Sequence, residues 1–322
     1  MPNPSTSLST LRPDLAGSFM EYELEMNRRG FIATRVLPVI NVAKQSGPFG
    51  KIPIEQLLQN PDVKRAPSSA YSRGNFTFTT DTFACEEYGH EEPIDDREAE
   101  MYMEYFDAEQ IATARAFEFV LQAAEQRAAS LIFNTSTFTT TAVSTEWSTY
   151  ATATPLSDVE TEVQAVYGAC GMWPNTMVMT RKVFRNLRHV AEVRDRVSSS
   201  GAGSSEAQGD ISLRQIANVF DLQNVIVANA TKNTANEGAS ASLDSVWDDE
   251  YVWIGVVPRT NDIREPGVGR TFHWSEDGSQ LRGRVESYRD ESVRSDIIRV
   301  RHDVDEKVLY AECGRLLSNI TA

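Results

Sequence analysis

Residues 86–109 read EEYGHEEPIDDREAEMYMEYFDAE, and residues 110–133 continue as QIATARAFEFVLQAAEQRAASLIF. The first stretch holds eleven Asp/Glu and one Arg. The second places Phe117, Val120, Leu121, Ala124, Ala128 and Leu131 in an i, i+3/i+4 stripe. Together they predict an acidic lead-in running into one long helix between residues 86 and 133. A helix of roughly 35 residues is about 50 Å long, which exceeds the width of a small domain. With strand-like segments on both sides, it reads as the spine of an extended subunit rather than the wall of a compact active site.

Two physical readings of the acids follow. Carboxylates in a first helical turn favour the positive end of the helix dipole, by about 0.3–1 kcal/mol each, and Pro93 suits a first-turn position. Acids this dense also repel one another, so a basic surface on another chain would make the run easier to tolerate. Arg181, Arg185 and Arg188 form one such surface, and Arg282, Arg284, Arg289, Arg294 and their neighbours up to Arg301 form a second. Glu91, Glu92 and Asp95 are the acids expected to meet them. A Ca²⁺ loop would need a glycine-turned ligand spacing that the run lacks.

The whole chain has 322 residues and a net charge of −15, and the acidic run alone supplies ten of those charges. An apolar content of 41% fits a folded protein with a substantial core. Generic nucleic-acid binding is disfavoured, because phosphate affinity comes mainly from Lys and Arg. Cys85, Cys170 and Cys313 lie far apart in sequence with no zinc-like spacing, and read as reduced, buried, small apolar residues. The N-terminus lacks a signal-peptide core, and no run approaches a membrane span.

Outward from the spine, residues 1–18 form a polar arm rich in Pro and Gly, and residues 19–30 predict a short helix ended by Gly30. Phe31–Val42 reads as a strand interrupted by Pro38. Residues 43–74 are punctuated by Gly and Pro, and Asn75–Phe83 alternates aromatic and Thr, a strand signal that includes Phe76 and Phe78. Two strands around so long a loop predict a protruding hairpin that needs a neighbour for stability; Phe76 and Phe78 are candidates for that contact.

Beyond the spine, Ser157-Asp-Val-Glu160 reads as a capping box opening a helix that Gly168 and Gly171 end. Thr176–Thr180 predicts a strand, Arg181–Arg194 a second helix, Leu213–Phe220 a third, Asn224–Ala228 a strand and Val246–Val257 an aromatic-rich strand. Ser295–Val304 alternates as a strand, with Ile298, Val300, His302 and Val304 on one face. Residues 155–260 therefore suggest helices around a small sheet, and the chain as a whole is α+β.

Catalytic signatures are missing from the sequence. It has neither a phosphate loop nor a nucleophile elbow, and Gly201-Ala-Gly203 and Gly267-Val-Gly269 lack the third glycine of a dinucleotide loop. The four histidines show no metal-binding spacing. The expectation is a non-enzyme with no cofactor and no metal.

The order of these elements resembles the major capsid proteins of tailed phages, the Hong Kong 97 fold. The stretches WPNTMVMTRKVF (173–184), ISLRQIANVFDLQNVIV (211–227) and YAECGRLLSNIT (310–321) carry the resemblance locally. It implies an N-terminal arm at 1–36, an extended E-loop at 37–90, a peripheral domain at 91–154 and 291–322, and an axial domain at 155–290. It implies a structural subunit that self-assembles into hexamers and pentamers, closing an icosahedral virion shell around double-stranded DNA without reading its sequence. Assembly would occur in the host cytoplasm, with a portal, a separate scaffolding protein and in some cases a decoration protein as partners. Some relatives crosslink through Lys and Asn. Lys44, Lys51 and Lys64 fall in the loop region, but nothing marks a partner Asn or a catalytic Glu. The alternatives are a cellular nanocompartment shell of the same fold and an α/β enzyme built on residues 155–260.

Overall fold

A computed structural model of the chain describes residues 10–11, 30–51, 53, 60, 62–65, 67–74, 77, 79–102, 108–199, 211–236, 238–262, 265–275 and 283–321. In chain order the elements begin with β1 (Thr10–Leu11), α1 (Ala33–Val36), β2 (Val39–Val42), β3 (Ser46–Lys51), β4 (Thr79–Ala84) and β5 (Glu86–Asp95). The helices α2 (Asp96–Tyr102) and α3 (Ala108–Ile132) follow, then β6 (Thr140–Ala142), α4 (Pro155–Cys170), β7 (Thr176–Thr180), α5 (Arg181–Leu187), α6 (Ala191–Ser199) and α7 (Leu213–Val219). The rest is strand: β8 (Asn224–Ala228), β9 (Thr231–Asn233), β10 (Leu243–Ser245), β11 (Val252–Gly255), β12 (Gly269–Trp274), β13 (Arg284–Asp290) and β14 (Ser295–Val308), then a 3₁₀ turn (Ala311–Cys313) and β15 (Gly314–Ser318).

The first ten residues of the acidic lead-in are not helical. Glu86–Asp95 is a ten-residue strand, antiparallel to β14 from Ser295 opposite Asp95 to Val304 opposite Glu86. Charge explains the choice. In a helix Glu87, Glu91 and Asp95 would stack at i, i+4 as like charges, which is destabilising. In the strand each faces a β14 that carries Arg299 and Arg301. Side chains alternate, with Tyr88, His90, Glu92 and Ile94 partly covered and Glu87, Glu91 and Pro93 outward. Among the described strands β5 pairs only with β14, so Pro93 sits on an edge where its missing N–H is tolerated.

Helix follows the strand in α2, and α3 forms 25 described residues of the spine, about 37 Å long. Phe117, Val120 and Ala128 are buried as expected, whereas the stripe continues through Ala129 and Ile132 rather than Leu131. Its two halves serve different cores. Ala112, Ala116, Phe117 and Val120 pack on Val285, Ile298 and Val300 of the first sheet. Ala128, Ala129 and Ile132 pack with Trp247 and with Val178, Trp253 and Leu316 of the second.

The first sheet runs β1-β13-β14-β12-β2, with β5 on the other side of β14. The second runs β6-β15-β11-β7-β8. In β7, Met177 and Met179 face the helical layer while Val178 faces the spine, so this strand is buried on both sides. Strands β12 and β13 join the first sheet although their residues fall in the expected 155–290 axial segment, and β15 joins the second although it falls in the expected peripheral tail.

Several local expectations are corrected. Phe31–Val42 is not one strand: Ala33–Val36 forms a helical turn, since Glu125 accepts the Ile32 and Ala33 amides, and Pro38 prevents its continuation. The helix expected to start at Ser157 begins at Pro155, which takes the first helical position, and Glu192 Oε2 caps the Leu156 amide at 3.0 Å. The capping box that does form is Ser212 with Gln215, at α7. Gly171 ends α4 in the left-handed conformation, φ 72°. Arg181–Arg194 is two helices broken at Arg188–Val190, which turns Val190 into the core beside Leu187. Val246–Val257 is strand only over Val252–Gly255, because Trp247 turns inward toward the spine. The predicted strand Asn75–Phe83 is observed from Thr79. The expected helix at 19–30 lies, except for Gly30, outside the described residues, as do Phe76 and Phe78.

Candidate subunit-contact surfaces

The acids singled out in the sequence form a ladder with the long strand β14. Arg299 Nε lies 2.6 Å from Glu91 Oε1, and its other arm is 3.7 Å from Glu286 on β13. Glu286, almost fully buried, also meets Arg284 at 3.0 Å and Arg301 at 3.4 Å. Arg301 reaches Asp303 at 3.6 Å and Glu87 at 3.9 Å. Gly89 makes room for this rung: a Cβ there would meet Val300 O at 3.0 Å and Arg301 Cβ at 3.1 Å. Past the strand end, Arg289 grips Asp96 with two bonds of 2.6 and 2.7 Å. That grip holds the Asp96 carboxyl below its usual range and raises the Arg289 guanidinium.

Each predicted acid thus has an intrachain partner. Glu91 pairs with Arg299, Glu92 lies 3.4 Å from both Arg115 and His90, and Asp95 accepts the Arg97 amide at 2.8 Å. Four members of the second basic set, Arg284, Arg289, Arg299 and Arg301, are therefore engaged within this chain. Arg181 and Arg185 lie on α5, with Arg188 immediately after it, in the layer that covers the second sheet. Arg181 and Arg188 flank the Phe184 ring at 5.5 and 5.7 Å, and Arg185 is exposed.

The hairpin β3–β4 is a separate two-stranded sheet fixed at its base. Phe49 and Phe83 close on Phe272, with ring centroids 5.6 and 5.0 Å away. Lys307 Nζ lies 2.6 Å from Asp81, and Lys51 donates to the Leu309 carbonyl while sitting 4.4 Å over the Tyr310 ring. Farther out the described residues are exposed, including Val63 at 79% and Tyr71 at 71%. Two other apolar surfaces face outward. Ile111 and Phe119 share one face of the spine with Arg115 between them, Phe119 lying 4.6 Å from His90. Tyr167 and Trp173 stack at 4.3 Å and are both exposed. Exposed aromatic anchors of this kind mark protein contacts. They were legible only as single residues in the sequence, since stacking depends on the turn at Gly171. Among the described residues no His/Cys/Asp/Glu cluster has metal-binding geometry, and no helix is long and apolar enough to cross a membrane.

No family model matches the chain. The major capsid protein of Pseudomonas phage JBD67 is 23% identical over 297 residues, covering 90% of this chain and 92% of that protein. The major capsid protein of Burkholderia phage BcepMu is 23% identical over 299 residues, covering 90% and 91%. A phage-related protein from Bordetella bronchiseptica RB50 superposes with a TM-score of 0.70 at 20% identity, covering 97% of this chain and 98% of that one. The capsid of cyanophage P-SCSP1u superposes with a TM-score of 0.57 at 10% identity, covering 88% of this chain and 86% of that one. Over nearly its whole length the chain is similar to phage major capsid proteins. Its capsid fold is of the Hong Kong 97 type, and the resemblance drawn from the stretches at 173–184, 211–227 and 310–321 agrees with these relatives. An encapsulin of Synechococcus elongatus shares the capsid fold as well, with a TM-score of 0.51 at 12% identity, covering 89% and 86%.

Proposed function

We propose that this capsid subunit closes an icosahedral shell of hexamers and pentamers around double-stranded DNA. The observation that carries this reading is the agreement of nearly the whole chain with phage capsid relatives in both sequence and fold. A subunit with a base-locked, outward hairpin supports it, because such a hairpin has too little core to be stable unaided and gains from lying on a neighbour. In this reading residues 1–36 are the arm, 37–90 the E-loop, 91–154 with 291–322 the peripheral domain, and 155–290 the axial domain. The net charge of −15 supports a wall that lets DNA slide past without gripping it. A portal, a scaffolding protein and a decoration protein are its proposed partners, and the host cytoplasm its proposed place of assembly. Its role is structural rather than catalytic.

Glu91, Glu92 and Asp95, the Arg181–Arg188 face, and Phe76 and Phe78 of the hairpin are proposed as surfaces between subunits. Electron microscopy of the expressed protein tests the assembly. Closed shells or capsomers are expected, and a monodisperse monomer under all conditions would overturn the reading. Nuclease-protected DNA in particles from infected cells would distinguish a genome shell from a protein-filled compartment. Reversing the charges of Glu91, Glu92 and Asp95 together should block assembly of a folded subunit; normal shells would remove these acids from the interface.

A further inference from the structure

The fold brings two cysteines together that the sequence separates. Cys170 is the last residue of α4, and Cys313 is the last residue of the 3₁₀ turn that leads into β15. Both are buried, at 3% and 0% exposure, in one small cluster with Val166 and Val256. The helix α4 packs directly against the 3₁₀ turn, which sets the two thiols in the same cluster. Neither thiol is in a disulfide. Backbone contacts hold both ends: Gly171 N donates to Tyr167 O at 2.8 Å behind Cys170, and Val256 N donates to Cys313 O at 2.8 Å. The pairing is thus a property of the packed elements and not of two wandering side chains.

The cluster is buried and apolar, and nothing in the subunit's structural role uses it. The two sulfurs are not equivalent. The Cys313 neighbour favours the Cys170 thiolate and draws the Cys170 thiol down, while Cys170 and burial together push the Cys313 thiol up. One thiol is therefore the readier nucleophile and the other holds its proton. Cys85 offers a contrast within the chain. It lies against Phe272 and Leu309 beside the first sheet, and burial pushes its thiol up to about 11.

We propose that Cys170 and Cys313 are a built-in dithiol that peroxide closes to an intrachain disulfide. Cys170 as thiolate attacks one oxygen of hydrogen peroxide. The O–O bond breaks, Cys170 becomes a sulfenic acid, and hydroxide leaves with the proton that Cys170 gave up, as water. The Cys313 sulfur then attacks the Cys170 sulfur. The S–O bond breaks and the departing hydroxide takes the Cys313 proton, forming a second water. Two thiols and one peroxide give one disulfide and two waters; the sulfurs are oxidised and the peroxide oxygens reduced. The bond ties the end of α4 to the start of β15 and closes a loop holding β7, β8 and β11. A crosslink across so long a loop restricts the unfolded chain strongly, and a shell outside a reducing cytoplasm would keep it.

Purified full-length protein treated with a small excess of hydrogen peroxide, alkylated in denaturant and digested without reductant tests this. The expected result is one peptide pair joined through Cys170 and Cys313, lighter than its two parts by two hydrogens, with Cys85 alkylated. The unfolding temperature should rise and fall back after dithiothreitol. In Cys313→Ser the Cys170 sulfenic acid should persist long enough for capture by dimedone. Recovery of Cys170 and Cys313 both alkylated, each oxidised singly, or joined to other cysteines would overturn the proposal. The wild-type peptide map decides the matter even where the Ser variant does not fold.

Discussion

Glu125 Oε1 accepts the indole N–H of Trp247 at 2.6 Å in the middle of the spine helix. The same carboxylate accepts the Ile32 amide at 2.8 Å and the Ala33 amide at 2.9 Å. One side chain thus joins three segments: the entry to the body at α1, the spine, and the loop before β11. It sits where the spine passes from the core of the first sheet to that of the second. Replacing it should loosen all three at once. Glu125→Ala leaves three buried or half-buried donors without an acceptor, and each such donor costs about 1–3 kcal/mol. A fall in stability of at least about 3 kcal/mol is expected in denaturant unfolding, and a loss below about 1 kcal/mol would show that water replaces the carboxylate.

The same group gives a pH dependence with a definite sign. Burial outweighs the three donors and raises the Glu125 carboxyl above its ordinary value of 4.5. The folded state then holds this proton more tightly than the unfolded state. This group's contribution to stability grows as pH falls through the raised value, is fully present below 4.5, and is lost as pH rises. Glu125→Gln should abolish that contribution, so the wild type should gain on the variant as pH is lowered over this window. Asp96 acts in the opposite sense, because Arg289 lowers its pKa; its contribution is present above its unfolded value and lost in stronger acid. Melting curves of wild type, Glu125→Gln and Asp96→Asn across pH separate the two, and parallel curves for wild type and Glu125→Gln would refute the assignment.

The ladder makes a prediction that separates folding from assembly. Glu91 and Arg299 are both partly exposed, and such pairs contribute about 0.2–1 kcal/mol. Glu91→Arg alone should therefore cost little more than about 1 kcal/mol. Exchanging the two residues, as Glu91→Arg with Arg299→Glu, should restore that loss. If the acidic edge also meets a neighbouring subunit, the exchanged protein will melt like wild type yet fail to form shells in electron micrographs. Normal shells from the exchanged protein would confine the pair to the fold.

These contacts explain which parts of the structure were legible in the sequence. Strands β7 and β8 were visible because short apolar runs buried on both faces leave little choice, as in Thr176–Thr180 and Asn224–Ala228. The spine was visible from its stripe, but the strand Glu86–Asp95 was not. Tyr88, His90 and Ile94 alternate with period two, a strand signal hidden by the acids around them. The partners that make the acids tolerable, Arg299 and Arg301, lie some 200 residues away on β14. Trp247 and Glu125 posed the same difficulty, being 122 residues apart. The Cys170–Cys313 contact had no spacing signal either, since it arises only when β15 enters the second sheet beside α4. Local patterns carried the elements; the charge pairs and the dithiol needed the topology.

The hairpin base gives a prediction about a single ring. Phe272 is fully buried between Phe49 and Phe83. Phe272→Ala removes the ring on which both hairpin strands rest, a change that costs about 3–5 kcal/mol in a packed core. The loss should be concentrated locally, because the rest of β12 still pairs with β14 and β2. Limited proteolysis should then cut between residues 43 and 85 well before the second sheet unfolds. Cutting spread evenly over the chain would mean that the hairpin and the first sheet unfold together.

Gly314 and Gly255 test the packing behind the last strand. The two face each other across β15 and β11, and the Trp253 ring lies over both. A Cβ at Gly314 would meet Trp253 Nε1 at 2.7 Å, and one at Gly255 would meet Trp253 Cζ2 at 2.4 Å and the Cys313 carbonyl at 2.6 Å. Trp253 is itself fully buried and packs at 6.1 Å from Phe138, so it has little room to retreat. Overpacking of this kind costs typically 1–3 kcal/mol. Gly255→Ala should fall at the upper end, because one of its clashes is with backbone, and Gly314→Ala lower, because the indole alone must yield. Both should lower the unfolding temperature, and Gly255→Ala should also displace the 3₁₀ turn that positions Cys313. Peroxide crosslinking of Cys170 to Cys313 should then slow in Gly255→Ala but not in Gly314→Ala, and equal rates in the two variants would show that the turn is set independently of β11.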